Sequence, residues 1–130
     1  MHERMREAGN SHDPARLAAL FAVDYDSAQP VHPGRTFVGR AQVLANWTSM
    51  FAGVPDYSSD LVACASDGDR EWGEWRWRGT FADGSPFAMR GVTIFDIRDG
   101  QIVAGRLYME PVDDGGGDIE AAVEQLSRPR

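Results

Sequence analysis

The stretch REWGEWRWRGTFADGSPFAMRGVTIFDIRDGQIVAGRLYMEP, residues 70–111, decides the fold. Its alternating apolar and polar residues predict three consecutive antiparallel strands, because neighbouring side chains of a strand point to opposite faces. Asp99-Gly100 separates the last two strands. This dipeptide is a strong hairpin signal, because both of its residues tolerate a positive φ.

A two-residue turn at Asp99-Gly100 sets the expected register of the last two strands. The expected pairs are Ile97/Ile102, Phe95/Ala104, Thr93/Arg106, Gly91/Tyr108 and Met89/Glu110. The shared face is then apolar near the turn and polar at its far end, which indicates the wall of a pocket with a closed bottom, and Gly91 leaves room for a ring or a ligand. The opposite face carries Val92, Ile94, Val103, Leu107 and Met109.

Trp75 and Trp77 share one face of the preceding strand, and the next turn decides which face that is. A three-residue turn at 83–85 places Trp75 beside Thr93 on the pocket face. A turn of two or four residues would direct both indoles to the other face. We favour three residues, because this groups the tryptophans with the other aromatic side chains.

Helices are predicted mainly before these strands. Residues 2–9 predict a short helix, and Asp13-Pro14 predicts the start of a second helix that extends to about Ala22, with Asp as the N-cap and Pro at the first position. A weak strand follows at 24–31. Residues 39–52 form the clearest helix, because its apolar residues recur at three- and four-residue intervals: Val43, Leu44, Trp47, Met50 and Phe51.

A further strand is predicted at 57–66, before the stretch at 70–111. Helices followed by a four-stranded antiparallel meander are typical of an α+β domain with helices on one face of the sheet. We expect a single domain over residues 1–112. Residues 113–130 are expected to form a Gly-rich hinge and a C-terminal helix capped by Asp118.

Composition excludes several classes of protein. A net charge of −7 over 130 residues argues against binding to nucleic acid. No apolar run approaches the roughly 18 residues that span a membrane, and the N-terminal residues do not form a secretory signal, so we expect a cytosolic protein. All basic residues are arginine, which excludes Schiff-base lysine chemistry and favours a GC-rich bacterial source.

Cys64 is the only cysteine, so the chain has no intramolecular disulfide and no multi-cysteine metal site. We expect a buried structural thiol in the strand at 57–66. Neither a metal nor another cofactor is expected.

The candidate catalytic residues are His32, Tyr108 and Glu110. An imidazole with a pKa near 6.5 is suited to proton transfer near neutral pH. Partial burial among Trp75, Trp77 and Tyr108 would raise the pKa of Glu110, whereas Arg106 on the same face would hold it ionised. The competing interpretations are a solvated loop histidine and a structural ion pair between Glu110 and Arg106.

The chain resembles the SnoaL-like polyketide-cyclase branch of the NTF2-like, or ketosteroid-isomerase-like, superfamily. The resemblance rests on the order and spacing of several short segments: Asn10-Ser11-His12-Asp13, Leu17/Leu20/Phe21, His32-Pro33-Gly34, Gly39, Trp75 with Gly79-Thr80, and Asp99-Gly100-Gln101-Ile102 before Glu110.

This resemblance implies a cone-shaped α+β barrel, in which a curved and mainly antiparallel sheet wraps around a long helix. It also implies a pocket for a small apolar molecule and a homodimer formed through the outer face of the sheet. The side chains expected to bind the ligand are Tyr25, Trp47, Trp75, Trp77, Met89, Phe95 and Arg106.

The catalytic residues known in this superfamily match this sequence less directly than the fold does. His32 before Pro33 stands where the isomerases place a carboxylate base, and Glu110 matches the acid–base carboxylate of the cyclases. The first helix has no tyrosine, which argues against steroid isomerisation, and no strand carries the Arg-x-Asp pair of the epoxide hydrolases. Two hypotheses remain: an acid–base isomerase or cyclase acting on an apolar carbonyl compound, and a non-catalytic protein that binds a small ligand.

Overall fold

The computed structural model describes all residues, 1–130. A single 3₁₀ turn, Pro33–Arg35, accompanies four helices and six strands. In chain order these elements are α1 His2–Asn10, α2 Pro14–Ala18, β1 Phe21–Ala28, β2 Phe37–Val38, α3 Arg40–Gly53, β3 Ser58–Asp67, β4 Arg70–Thr80, β5 Pro86–Arg98, β6 Gln101–Pro111 and α4 Ile119–Leu126.

The six strands form one sheet in the order β2-β1-β6-β5-β4-β3. Strands β3 to β6 are the predicted antiparallel meander, and β1 joins β6 in parallel. Apolar side chains of α1, α2 and α3 pack on the inner face of this sheet in one core. The predicted α+β class is confirmed, but the sheet is curved and open rather than closed into a barrel.

The start of α2 follows the prediction, whereas its end does not. The Asp13 carboxylate accepts hydrogen bonds from the backbone N–H groups of Ala15 and Arg16. The helix ends at Ala18, and Phe21 already belongs to β1, where it lies opposite Ile102 of β6. The prediction of a helix to about Ala22 is wrong, because pairing with a strand distant in sequence overrides the local apolar pattern.

The last strand pair begins in the predicted register and then departs from it. Asp99 and Gly100 have φ values of 52° and 75°, and Ile97 lies opposite Ile102 as expected. Asp96 then lies opposite Ala104, so Val103 is an extra residue in β6. Such a β-bulge moves every later side chain of its strand to the opposite face.

The bulge corrects the expected faces of β6. Phe95, Thr93 and Gly91 lie opposite Gly105, Leu107 and Met109 on the inner face. The outer face instead receives Arg106, Tyr108 and Glu110. The expected pairs from Phe95/Ala104 to Met89/Glu110 are therefore wrong. The physical reason is that this register places Met109 in the core and leaves two charged groups near solvent.

The prediction that Trp75 and Trp77 face inward is confirmed. They are 1% and 5% exposed and lie opposite Gly91 and Met89. The expected neighbours are displaced by two residues, because Thr80 pairs with Pro86 and leaves a five-residue loop. The predicted three-residue turn and the observed five-residue loop both contain an odd number of residues. The tryptophans therefore lie on the predicted face of the sheet, although their exact partners differ.

A C-terminal helix is present as predicted. The Asp118 carboxylate accepts from the backbone N–H of Ala121 at 2.9 Å, and α4 follows residues 113–117. Its apolar side chains Ile119 and Leu126 are 75% and 79% exposed. None of the helices is both long enough and apolar enough to cross a membrane.

Gly91 is required by close contact between two strands, and not by space for a ligand as expected. A Cβ atom at this position would lie 1.9 Å from the Tyr108 carbonyl oxygen and 2.8 Å from the Met109 Cα. Both neighbours are backbone atoms, so they cannot turn aside as a flexible side chain could.

The substitution Gly91→Ala should therefore destabilise the protein by about 1–3 kcal/mol, the usual cost of overpacking, because β5 and β6 must separate. Chemical denaturation measures this loss. Gly53→Ala is the matched control, since no atom lies within 4 Å of a Cβ there, and it should change the stability by no more than about 0.5 kcal/mol. Equal effects of the two substitutions would show that the strand contact is not tight.

Candidate functional site

A cavity of about 80 Å³ lies between the inner face of the sheet and α3. Its wall is mainly aromatic and aliphatic, with four neutral polar side chains. The aromatic residues are Phe21, Tyr25, Phe37, Trp47, Trp77 and Phe95; the aliphatic residues are Met5, Val43 and Leu107; and the polar residues are Ser27, Gln29, Asn46 and Thr93.

Tyr25 is the only ionisable side chain in this wall. Burial raises the pKa of its phenol to about 12, so the group is protonated at neutral pH. The wall contains neither a carboxylate nor an imidazole. A substrate held in the cavity therefore meets no general base from the wall near neutral pH.

Several residues of the wall carry hydrogen-bond donors. The indole Nε1 of Trp77 is buried and has no hydrogen-bond partner. The side-chain oxygens of Asn46 and Gln29 each accept one hydrogen bond, from Gln42 Nε2 at 2.7 Å and from Arg35 Nη1 at 3.0 Å. Their amide N–H groups remain available, because each side-chain amide has two donor hydrogens.

The cavity is small. It has about half the volume of the engineered ~150 Å³ cavity that holds benzene, and ordinary ligand pockets begin near ~300 Å³. Trp47 occupies part of the space that a larger ligand would need, with its ring centroid 5.4 Å from that of Trp77 and 5.5 Å from that of Tyr57. The conformation described accepts a molecule of only a few non-hydrogen atoms.

His32 and Glu110 lie in direct contact. His32 follows β1, whose last residue Ala28 pairs with Arg106 of β6, so the loop passes beside the end of β6. His32 Nε2 lies 2.5 Å from Glu110 Oε1, and the two side chains are 35% and 50% exposed. Neither side chain lines the cavity.

The other expected site residues divide into two groups. Tyr25, Trp47, Trp77 and Phe95 line the cavity, whereas Trp75 and Met89 pack beside it without reaching its wall. Arg106 and Tyr108 lie on the outer face, because the bulge at Val103 turns them away. The common polar end of the pocket expected from Arg106, Tyr108 and Glu110 is therefore not formed.

Sequence reasoning missed several wall residues. The local apolar pattern predicts a helix at Phe21, and Phe37 lies in a strand of only two residues, too short for a periodic signal. Asn46 does carry a signal, because it follows Val43 by three residues on the helix that bears the apolar stripe.

A second polar cluster surrounds His2, which is fully buried. His2 Nδ1 lies 2.5 Å from Glu71 Oε1, and Nε2 lies 2.8 Å from Thr93 Oγ1. Thr93 Oγ1 also accepts a hydrogen bond from Trp75 Nε1 at 2.8 Å. Burial lowers the pKa of His2 below its usual value, although Glu71 opposes this shift. The cluster connects the N-terminal helix to the centre of the sheet.

Cys64 lies beside this cluster and is exposed, so the expectation of a buried thiol is wrong. The reason is that the second half of β3 lies largely exposed to solvent. Partial burial of the sulfur and the nearby Glu71 carboxylate raise the pKa of the thiol. Cys64 is therefore a protonated thiol near neutral pH and not an activated nucleophile.

Helices over one face of an open, curved sheet, with a cavity between the two layers, define an NTF2-like protein. A family model described as the SnoaL-like domain matches residues 2–105. Because the match covers most of the sequence, the chain belongs to the SnoaL-like domain family. This confirms the resemblance drawn from the sequence.

Solved structures agree with this assignment. Wild-type IdmH of Streptomyces antibioticus, provisionally assigned as a polyketide cyclase, is 27% identical with a TM-score of 0.72, over 84% of this chain and 88% of that one. A ketosteroid-isomerase-like protein of Catenulispora acidiphila in complex with trimethylamine is 21% identical with a TM-score of 0.72, over 82% of both chains.

A Mycobacterium tuberculosis protein in complex with estradiol-17beta-hemisuccinate is 20% identical with a TM-score of 0.69, over 82% of this chain and 88% of that one. The Catenulispora and Mycobacterium proteins are each less than 25% identical to this chain, so their similarity shows the fold alone. No curated protein matches the sequence.

Proposed function

We propose that this protein binds a small uncharged molecule in the cavity between the sheet and α3, and that the molecule has an apolar body and a hydrogen-bond acceptor. The observation that carries this proposal is the indole Nε1 of Trp77, which is buried without an acceptor in a residue of the cavity wall.

The energetics of the wall support such a ligand. Removing apolar surface from water contributes about 25 cal/mol per Å², which favours an apolar body among the aromatic rings. A buried donor without a partner costs about 1–3 kcal/mol, and a carbonyl or ether oxygen of the ligand would recover part of that cost.

The charge of the ligand follows from the same groups. The six aromatic rings of the wall can attract a cation through their faces, but the wall supplies no carboxylate to offset its charge. A protonated amine has no lone pair to accept a hydrogen bond from Trp77 Nε1, so the amine bound by the Catenulispora relative is not proposed for this chain. A ketone or an ether is the better match.

Acetone and 2-methylpropene provide a sharp test, because they have nearly the same shape and differ in one group, C=O or C=CH₂. Trp77→Phe should weaken acetone binding about 3- to 10-fold more than 2-methylpropene binding, which corresponds to one hydrogen bond. Titrations followed by NMR measure both affinities.

Trp47→Phe is the control, since it makes the same truncation in the same wall, and should weaken both ligands equally. If Trp77→Phe also changes both affinities by the same factor, the donor role assigned to Trp77 is wrong.

A second candidate function is acid–base catalysis on an apolar carbonyl compound, as an isomerase or a cyclase. The contact between His32 Nε2 and Glu110 Oε1 favours it, because a carboxylate that holds one imidazole nitrogen orients the other for proton transfer. His32 Nδ1 would take a proton from the carbon next to the carbonyl, leaving an enolate.

Deuterium exchange at that carbon, measured by NMR with aromatic ketones, tests this candidate. Catalysed exchange in the wild type and its loss in His32→Gln would support catalysis. Exchange at the rate of buffer alone would reject it, while acetone binding in the cavity should be unchanged by His32→Gln.

We also propose that the protein forms a homodimer through the outer face of the sheet. Leu107 and Met109, expected on this face, lie on the inner one, so the apolar contribution comes from Trp72, Val92, Ile94 and Tyr108 among arginines and carboxylates. Static light scattering that finds a monomer at micromolar concentration would contradict this proposal.

A further inference from the structure

We propose that His2, Cys64 and Glu71 form a binding site for one Zn²⁺ ion, distinct from the cavity and from the contact between His32 and Glu110. The potential ligand atoms of these three side chains lie within 4.8 Å of one another. They belong to α1, β3 and β4. The site would thus join the N-terminal helix to the edge of the sheet.

The strand register explains why these side chains meet. Cys64 of β3 lies opposite Gly73 of β4, and Glu71 precedes Gly73 by two residues on the same face. A Cβ atom at Gly73 would lie 2.1 Å from His2 Cδ2. The missing side chain of Gly73 therefore admits the His2 ring over the strand, next to Cys64 and Glu71.

The His2 ring is held as metal-binding imidazoles are held. Its Nε2 lies 3.2 Å from the Thr93 carbonyl oxygen and 2.8 Å from Thr93 Oγ1, and the ring stacks on Phe95 with centroids 4.6 Å apart. The 2.5 Å contact with the Glu71 carboxylate requires a hydrogen on Nδ1 in the ion-free protein. When that hydrogen moves to Nε2 and points to the Thr93 carbonyl, the Nδ1 lone pair becomes available to a metal. A hydrogen bond from the non-ligating nitrogen fixes the tautomer and the orientation of a ligand histidine.

The donor set selects the ion. One sulfur, one imidazole nitrogen and one carboxylate oxygen suit Zn²⁺, whereas Mg²⁺ and Ca²⁺ prefer oxygen ligands alone. Three protein ligands leave a fourth position for water. Cys64 is exposed, so the ion can enter from solvent on that side.

Binding requires three local changes. The ring hydrogen of His2 moves from Nδ1 to Nε2 by exchange with solvent, and the Nδ1 lone pair forms the bond to zinc. The Cys64 S–H bond breaks, its proton passes to solvent, and the sulfur electron pair forms the bond to zinc. Glu71 must also open its contact with His2 Nδ1, because Zn–N and Zn–O bonds of about 2.0–2.2 Å need more separation. The Glu71 side chain is 16% exposed, and its movement also lengthens the contact with the Met1 amino group, which donates to Oε2 at 3.2 Å.

The test uses the full chain with any purification tag at the C-terminal end. Calorimetric titration with zinc chloride should give one ion per chain. Cys64 is the only cysteine, so maleimide labelling reports on this site alone, and zinc should protect the thiol. Co²⁺ in place of Zn²⁺ should give a thiolate-to-metal absorption band.

Cys64→Ser is the main variant, because the side chain is exposed and the substitution leaves the fold in place. It should weaken zinc binding at least about 100-fold, since loss of an outer hydrogen-bond partner alone costs 10–100-fold. Glu71→Gln should weaken binding in the same direction.

Glu74→Gln is the matched control, a carboxylate on the outer face of the same strand, and should bind zinc as the wild type does. Absence of binding to the wild type would overturn the proposal. Equal affinity of Cys64→Ser and Glu74→Gln would also overturn it.

Discussion

The single extra residue at Val103 determines which side chains of β6 face the core and which face solvent. Without it, Arg106, Tyr108 and Glu110 would enter the aromatic interior, at a free-energy cost of several kcal/mol for each of the two ions if unpaired. With it, Leu107 lines the cavity and Met109 joins the core. The bulge thereby keeps the charged side chains of β6 out of the cavity wall and directs them outward.

The charged side chains of β6 lie outside the cavity, which limits the chemistry that the cavity wall can support. Inside, the wall offers aromatic surface and N–H donors, and the phenol of Tyr25 has its pKa raised to about 12. Outside, His32 and Glu110 form a contact that is close but half-exposed. Ligand binding and proton transfer are therefore assigned to different places: the first to the cavity between the sheet and α3, and the second to a contact at the surface.

Local signals in the sequence were sufficient for much of the fold. The Asp13 cap, the Asp99-Gly100 turn and the helix at 39–52 each depend on neighbours within a few residues, and each is present in the structure, although Leu44 of the predicted apolar stripe is exposed. The errors come from distant partners: pairing of β1 with β6 shortens α2, and no short motif marks the bulge. His2 was missed for the same reason, because its partner Glu71 lies 69 residues away.

The central claim is that the ligand site contains no group that titrates near neutral pH. The most direct measurement is the dissociation constant for acetone as a function of pH. From about pH 5 to pH 9 it should be constant, because neither a histidine nor a carboxylate lines the cavity and Tyr25 remains protonated. A change of tenfold or more with a midpoint in this range would contradict the account, since it would place His32, Glu110 or another ionisable group in contact with the ligand.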